Sequence, residues 1–294
     1  MSQEKPLYSR FLNLPEENFS WDAALCSLIQ APLETTTSFQ HGTAWAPQAI
    51  LRASEQLELY DPVHGRDLSD LAIATVAAPK LSGLSTKDAL TSLELLVDKS
   101  LDAHKWPLVV GGEQTCSYAA LRAHLRRHPK ICVIQLDAHL DLKESFGGSG
   151  FSHRCAARRV LELGVSMIHL GARSFSRDEA EFAAQAVSIL SVDSLRSDPG
   201  SFKRLLDRIT DPLYLSIDMS VLDPSLCPGV SNPEPSGLLW NELLQIVETV
   251  FEGHTVVGAD LVEVSPLPGD ARSELLAAKL ALKLFELHQT GTTP

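Results

Sequence analysis

The chain has 294 residues, 44% of them hydrophobic and 21% charged, with a formal net charge of −12. That length buries a large core without disulfide staples, and the acidic balance argues against a nucleic-acid partner, which needs a basic face. The opening MSQEKPLYSR has no apolar signal core and no stretch reaches the roughly 18–20 apolar residues of a membrane span, so the expectation is a cytoplasmic protein with no membrane partner.

Residues 1–36 are mixed in character and read as an N-terminal arm with a short helix. Residues 46–59 read as a helix, with Pro47 in the first turn and Ile50, Leu51 and Leu57 available to a core. From there short apolar runs recur at 71–76, 107–110, 131–136, 167–170, 187–190, 213–217 and 255–264. Stretches of helical composition lie between most of them, at 86–103, 118–128, 156–163, 177–186, 199–209 and 240–251, and a last helix covers 271–288. Unbroken apolar strands alternating with helices predict an α/β fold whose parallel sheet is covered on both faces. No Pro/Gly/Ser-rich linker divides the chain and no repeat has a fixed period, so residues 1–294 read as one domain with 1–36 packed on it. The five cysteines, Cys26, Cys116, Cys132, Cys155 and Cys227, form no CxxC pair and read as free thiols. Cys132 sits in an apolar run and reads as core, whereas Cys155 lies beside a polar motif that leaves a redox or ligand role open.

The chemistry-bearing segments sit where strands end. In ICVIQLDAHLDLKE, 131–144, an apolar strand runs into Asp137, His139 and Asp141, and alternate positions of an extended chain project to one side. Carboxylate and imidazole donors suit Mn, Zn, Fe or Ni, while the bland alternative is a solvated strand end. In LYLSIDMSVLDPSLCPG, 213–229, another apolar strand ends in Asp218, with Asp223-Pro224 reading as a turn start. That segment alone favours a structural role. Two strands ending in acids, however, can build one site beyond the carboxyl edge of a sheet. In PLVVGGEQTCSYAA, 107–120, a Gly111-Gly112 turn leads through Glu113, Gln114 and Thr115 into a helix, without the Lys-Ser/Thr of a phosphate loop. Asp260 and Glu263 follow a strand in GADLVEVSP, and His153 follows the Gly-rich loop 147–150; taken alone, such a histidine reads as a surface residue. His64, His104, His124, His128 and His288 read as solvated.

Together these strings resemble the ureohydrolase (arginase, agmatinase, formiminoglutamase) family. DAHLD resembles its DAHxD metal motif, SIDMSVLDP its SxDxDxxDP signature with PGVSNPEPSGL as the continuation, GGEQT its GGDHS, and DLVEVSP its late strand. TSFQHGTAWAPQAILRAS is similar to an N-terminal segment of agmatinase type, and the motifs fall in family order over residues 37–285. The resemblance implies an arginase-like three-layer αβα sandwich with a mostly parallel sheet of about eight strands. It also implies a pair of Mn ions whose bridging hydroxide attacks a guanidinium carbon and releases urea. Carried over by position, the metal ligands are Asp137, His139, Asp141 and Asp218. His153 is then the proton-handling histidine, and Glu263 the acid that pairs with the guanidinium.

This chain departs from the family pattern at Gln114, where a ligand His stands, and at Ser220, where the second Asp of the DxD pair stands. Each metal site thereby lacks one protein ligand, so one or two Mn ions, or another divalent metal at reduced occupancy, are expected. Arg154 replaces a usual Gly and brings positive charge that repels a cation or recruits an anionic substrate, and the Arg of the N-terminal motif is absent from 42–47. The expected function is a metal-dependent hydrolase of a linear amidine, a guanidino compound such as agmatine. The alternatives are a formiminoglutamate-type hydrolase, which Arg154 favours, and an impaired pseudoenzyme regulating a paralogue. A module binding a small cation through Glu263 and Asp260 ranks last. The resemblance further implies a trimeric or hexameric homo-oligomer, with room for a paralogous subunit.

Overall fold

A computed structural model describes residues 10–12, 14 and 16–291. The chain runs β1 (Cys26–Ala31), α1 (Ala46–Ser54), β2 (Tyr60–Asp61), β3 (Arg66–Asp67), β4 (Ile73–Val76), α2 (Thr86–Asp102), β5 (Trp106–Gly111) and α3 (Cys116–Leu125). It continues through β6 (Cys132–Leu136), α4 (Ala156–Leu161), β7 (Ser166–Leu170), α5 (Arg177–Ala186), β8 (Ser188–Leu190), α6 (Val192–Ser197) and α7 (Ser201–Leu206). β9 (Leu213–Asp218), α8 (Trp240–Phe251), β10 (Val256–Val262) and α9 (Arg272–Gly291) complete it. Eight strands form one sheet in the order β4-β1-β5-β10-β9-β6-β7-β8, and every pair is parallel. β2 and β3 form a separate two-stranded ribbon.

Alternate strand residues face opposite helical layers. Leu108 and Val110 of β5, with Ile134 of β6, pack with Ile50 of α1, Val247 of α8 and Phe285 of α9. Val109 and Val133 face the other way, with Leu90 of α2, Leu121 of α3 and Val160 of α4. Two apolar faces on one sheet make the expected three layers, and truncating a core leucine such as Leu108 to Ala costs about 2–5 kcal/mol. Among the described residues, no helix is long and apolar enough to cross a membrane.

Two expectations are corrected. The segment read as an N-terminal arm contains β1, a fully buried strand between β4 and β5. Its Ser27 and Gln30 interrupt the apolar run, and both are satisfied inside, Ser27 by Ser100 and Gln30 by the Val76 carbonyl at 3.0 Å. Of that arm, residues 1–9, 13 and 15 lie outside the described residues. The stretch 187–209 also holds α6, which propensity did not reveal.

Register brings the four central strand ends level. Leu136 pairs with Ile217, Asp218 with Val262, and Val110 with Leu261. The residues that leave β5, β6, β9 and β10 therefore emerge in one row at the carboxyl edge. The turn after β5 works only because Gly112 has no side chain: a Cβ there would lie 2.1 Å from the Leu33 carbonyl oxygen.

Candidate active site

At that edge His139, Asp141, His153, Arg154, Asp218 and Glu263 line one cavity of about 430 Å³. Asp137 is wholly buried and does not line the cavity. Its carboxylate accepts from the His139 backbone N–H at 2.8 Å, from Ser220 Oγ at 3.2 Å and from Gln135 Nε2 at 3.2 Å. His139 Nδ1 stands 3.4 Å from the same carboxylate, while Nε2 is 2.9 Å from the Asn232 amide. Asp218 accepts from the Ser220 N–H at 2.7 Å. Glu263 accepts the Gln114 N–H at 2.6 Å, and its carboxyl also lies beside Ser231. Asp141 and Glu263 both hold left-handed backbone, φ 51° and 66°. That conformation costs a non-glycine residue about 1–3 kcal/mol and collects at functional sites.

The electrostatics set these acids apart from each other. Burial raises Asp141 and Asp218 well above the usual carboxylate range, and the neighbouring Asp137 and Glu263 charges push both further. Burial also lifts Glu263 to about 7. Burial acts on Asp137 in the same sense, but the hydrogen bond and charge of His139 outweigh it and hold Asp137 low. The site therefore concentrates carboxylates whose ionisation calls for a positive guest.

Gln114 and Ser220, the two departures from the metal-ligand pattern, both touch this cluster, with different consequences. Ser216 Oγ donates its one proton to Asp260 at 2.9 Å, so it can only accept from Gln114 Nε2 at 3.3 Å. Nε2 also reaches Ser117 Oγ at 3.2 Å. The amide is thereby pinned by its nitrogen, and Oε1 is left buried without a donor. Gln114 does not line the cavity; it joins the cluster through its backbone N–H on Glu263. Ser220 acts with the opposite polarity, donating to Asp137 from its hydroxyl and to Asp218 from its backbone, so it supplies hydrogen bonds where a ligand oxygen is required. The residue types at these positions suit a cation, with Ser220 lost as a ligand. The ligand atoms are not drawn together: among the described residues, the trio of His, Cys, Asp or Glu whose ligand atoms all lie within 4.8 Å is elsewhere, at Asp61, His64 and Glu286.

His153 is not the surface residue that a lone loop histidine suggests; it is 7% exposed. Its ring nitrogens lie 3.2 Å from Thr36 Oγ1 and 3.2 Å from Ser38 Oγ. Burial, helped by the adjacent Arg154 charge, lowers its pKa to about 4, so the ring is neutral at pH 7. The loop carrying Thr36 is itself clamped by Glu113, which accepts the Thr35 and Thr36 N–H groups at 2.8 and 2.7 Å.

Several sequence readings are corrected here. Asp260 does not line the cavity; it is fully buried between Tyr214 and Ser216, which removes it from any cation-binding pair with Glu263. His124 is not solvated but fully buried, bonded to the Ala120 and Val257 carbonyls at 2.8 and 3.2 Å. His288 is half-buried and stacked on Trp106 at 4.8 Å. Cys155 is buried, and burial raises its thiol pKa, which removes the thiolate that redox or ligand chemistry requires. The sequence reading did not single out Thr36, Ser38, Lys143, Glu179, Asn232 or Glu234. Asn232 and Glu234 lie inside the PGVSNPEPSGL string, Ser38 inside TSFQHGTAWAPQAILRAS and Lys143 inside ICVIQLDAHLDLKE, which were the available signals; Thr36 and Glu179 carry none.

A parallel α/β sheet that gathers its polar side chains beyond the carboxyl ends of its central strands is a recognised architecture for ligand sites. The sequence model of the Arginase family matches residues 24–286, and the chain belongs to that family. It is 34% identical to the N(1)-aminopropylagmatine ureohydrolase of Synechocystis, over 90% of this chain and 89% of the relative. It is 33% identical to the agmatinase of Pyrococcus horikoshii, over 86% and 88%. The solved structure of proclavaminate amidino hydrolase from Streptomyces clavuligerus superposes with a TM-score of 0.85 at 26% identity, covering 97% of this chain and 99% of that one.

Proposed function

We propose that the protein is a metal-dependent hydrolase that cleaves a C–N bond of a linear amidine, a small guanidino compound. The observation that carries this reading is the buried row of carboxylates at the strand ends, raised in pKa by burial and mutual repulsion. The names of the relatives, an aminopropylagmatine ureohydrolase and an agmatinase, support the substrate class. Asp137, His139, Asp141 and Asp218 are the residues to hold the metal, Mn in first place, with Gln114 Oε1 as a neutral fifth donor. When bound, a divalent cation supplies Lewis acidity. Glu263, at the carboxyl end of β10, pairs its carboxylate with the substrate amidinium. His153, neutral at pH 7, accepts and passes a proton within reach of the Thr36 and Ser38 hydroxyls. Asp141 shares the cavity with both and orients the reacting group. The proposal includes a single domain over 1–294, a cytoplasmic location and a trimeric or hexameric homo-oligomer.

The test is elemental analysis of the purified protein, then urea and ammonia release from guanidino and formimino compounds with added Mn²⁺, using Asp218→Asn as the control. The expected result is bound metal and release that the control lacks. Metal-loaded protein inert toward the whole panel sinks the reading. One observation favours a second reading: Ser220 donates to both Asp137 and Asp218, which weakens a second ion site. On that reading the protein is an impaired family member that regulates a catalytic paralogue, and it is identified by metal-free, folded protein that alters the paralogue's activity.

A further inference from the structure

The cavity holds two kinds of charge. Its acids are Asp141 and Asp218, the proposed metal ligands, and Glu263, which takes a positive head group. Two cationic side chains also line it, Lys143 and Arg154. Lys143 is already satisfied: its Nζ lies 3.1 Å from Glu179 Oε2 and 3.1 Å from Ser176 Oγ. Arg154 is not. Among the described residues its guanidinium has no ion pair and no hydrogen bond, and its contact is with the face of Phe146, 4.8 Å from the ring centroid. Its backbone is fixed, because the carbonyl accepts from the Lys143 N–H at 3.2 Å and the residue sits in the helical turn His153–Cys155. The remaining acid on the wall, Glu234, stands 3.9 Å from His139 Nε2, on the side of the imidazole.

From this arrangement we infer that Arg154 is a specificity residue, and that the ligand is bipolar, with an amidine head for Glu263 and a carboxylate tail for the Arg154 guanidinium. The inference rests on the amidinohydrolase reading for the head group and adds the tail. A guanidinium presents up to five N–H donors in a flat fork that matches a carboxylate in two parallel bonds. The contact with the Phe146 ring uses none of those donors. A bound carboxylate engages two of them, and it does so in a partly buried site where the attraction is screened less than in water. A dication such as agmatine would instead bring its ammonium into a cavity that already holds an unpaired cation. The cavity volume of about 430 Å³ is within the usual range for small-ligand pockets and admits a chain of several carbons between head and tail.

The experiment is calorimetric binding of 4-guanidinobutyrate and of agmatine to metal-loaded full-length protein, wild type and with Arg154→Gln or Arg154→Lys. The two probes share the head and differ in tail charge. Wild type is expected to bind 4-guanidinobutyrate the more tightly. Arg154→Gln should lose on the order of tenfold or more toward 4-guanidinobutyrate, the usual worth of a hydrogen bond to a charged group. It should tighten toward agmatine, because a like charge is gone. Arg154→Lys should recover part of the loss, lacking the fork. Agmatine preferred by the wild type, equal losses toward both probes, or no binding of either overturns the inference. Urea assays on the same samples distinguish its failure from that of the hydrolase reading: tight, Arg154-dependent binding of 4-guanidinobutyrate without urea release refutes the hydrolase reading and leaves the tail assignment standing.

Discussion

Two clusters of acids invite comparison, and the less promising one by distance is the better candidate by charge. Asp61, His64 and Glu286 bring their ligand atoms within 4.8 Å of one another, the spacing of a metal site. Yet Lys283 Nζ lies 3.7 Å from Asp61 and 3.3 Å from Glu286, and Arg66 is 3.5 Å from Glu286. Burial works against the Asp61 charge, but hydrogen bonds from His64 and the Val63 N–H, with Lys283 nearby, hold it at about 2. That cluster is charge-balanced by the protein itself. At the strand ends the acids are more dispersed, but Asp141, Asp218 and Glu263 have no cationic partner among the described residues, and burial raises all three. Proximity of ligand atoms therefore locates a possible cage, whereas unbalanced charge locates the one with room for a guest.

The comparison can be broken most forcefully at Lys283. Replacing it with Met leaves Glu286 with Arg66 alone and Asp61 with His64 alone in a largely buried setting and should cost about 3 kcal/mol of stability, read by chemical denaturation. A loss under about 0.5 kcal/mol would mean that the cluster was not balanced by that ammonium. The next largest effect concerns metal. At a Mn²⁺ concentration near 100 times Kd, wild type should gain about 2.7 kcal/mol, seen as a rise in Tm. Asp218→Asn should lose that gain, while Asp61→Asn should keep it. The reverse pattern would exchange the two clusters' assignments.

The smallest effect is the pH response of metal-free protein. Folding raises Glu263 from the ordinary glutamate value of 4.5 to about 7. A carboxyl raised in the folded state favours folding while both states are protonated. Its contribution is complete below about 4.5 and disappears as pH rises through about 7, falling by on the order of 1.4 kcal/mol for each pH unit crossed. Glu263→Gln should flatten the wild-type decline over that window, and measuring the difference between the two proteins cancels the opposite trend from histidines such as His153. Parallel curves for wild type and variant would place the titrating charge on another group.

Much of the architecture was legible along the chain. Strands such as β6 and β9 announce themselves because a strand buried on both faces tolerates few polar residues, and each ends where an acid begins. β1 escaped because Ser27 and Gln30 look unfavourable for a core until Ser100 and the Val76 carbonyl appear beside them. The same logic governs the site. Asp137, His139, Asp141, Asp218 and Glu263 are visible because strand ends carry their ligands locally, whereas Thr36 and Ser38 reach His153 across more than a hundred residues of sequence.

The sequence by itself determined the alternation of strands and helices, the family and the residue types offered at each strand end, because those depend on local pattern. Tertiary structure alone decided the direction of the Gln114 amide, the donor role of Ser220, the neutral state of buried His153 and the solitude of the Arg154 guanidinium. Each of these depends on which distant groups complete a hydrogen bond or balance a charge, and that is set by packing rather than by spacing along the chain.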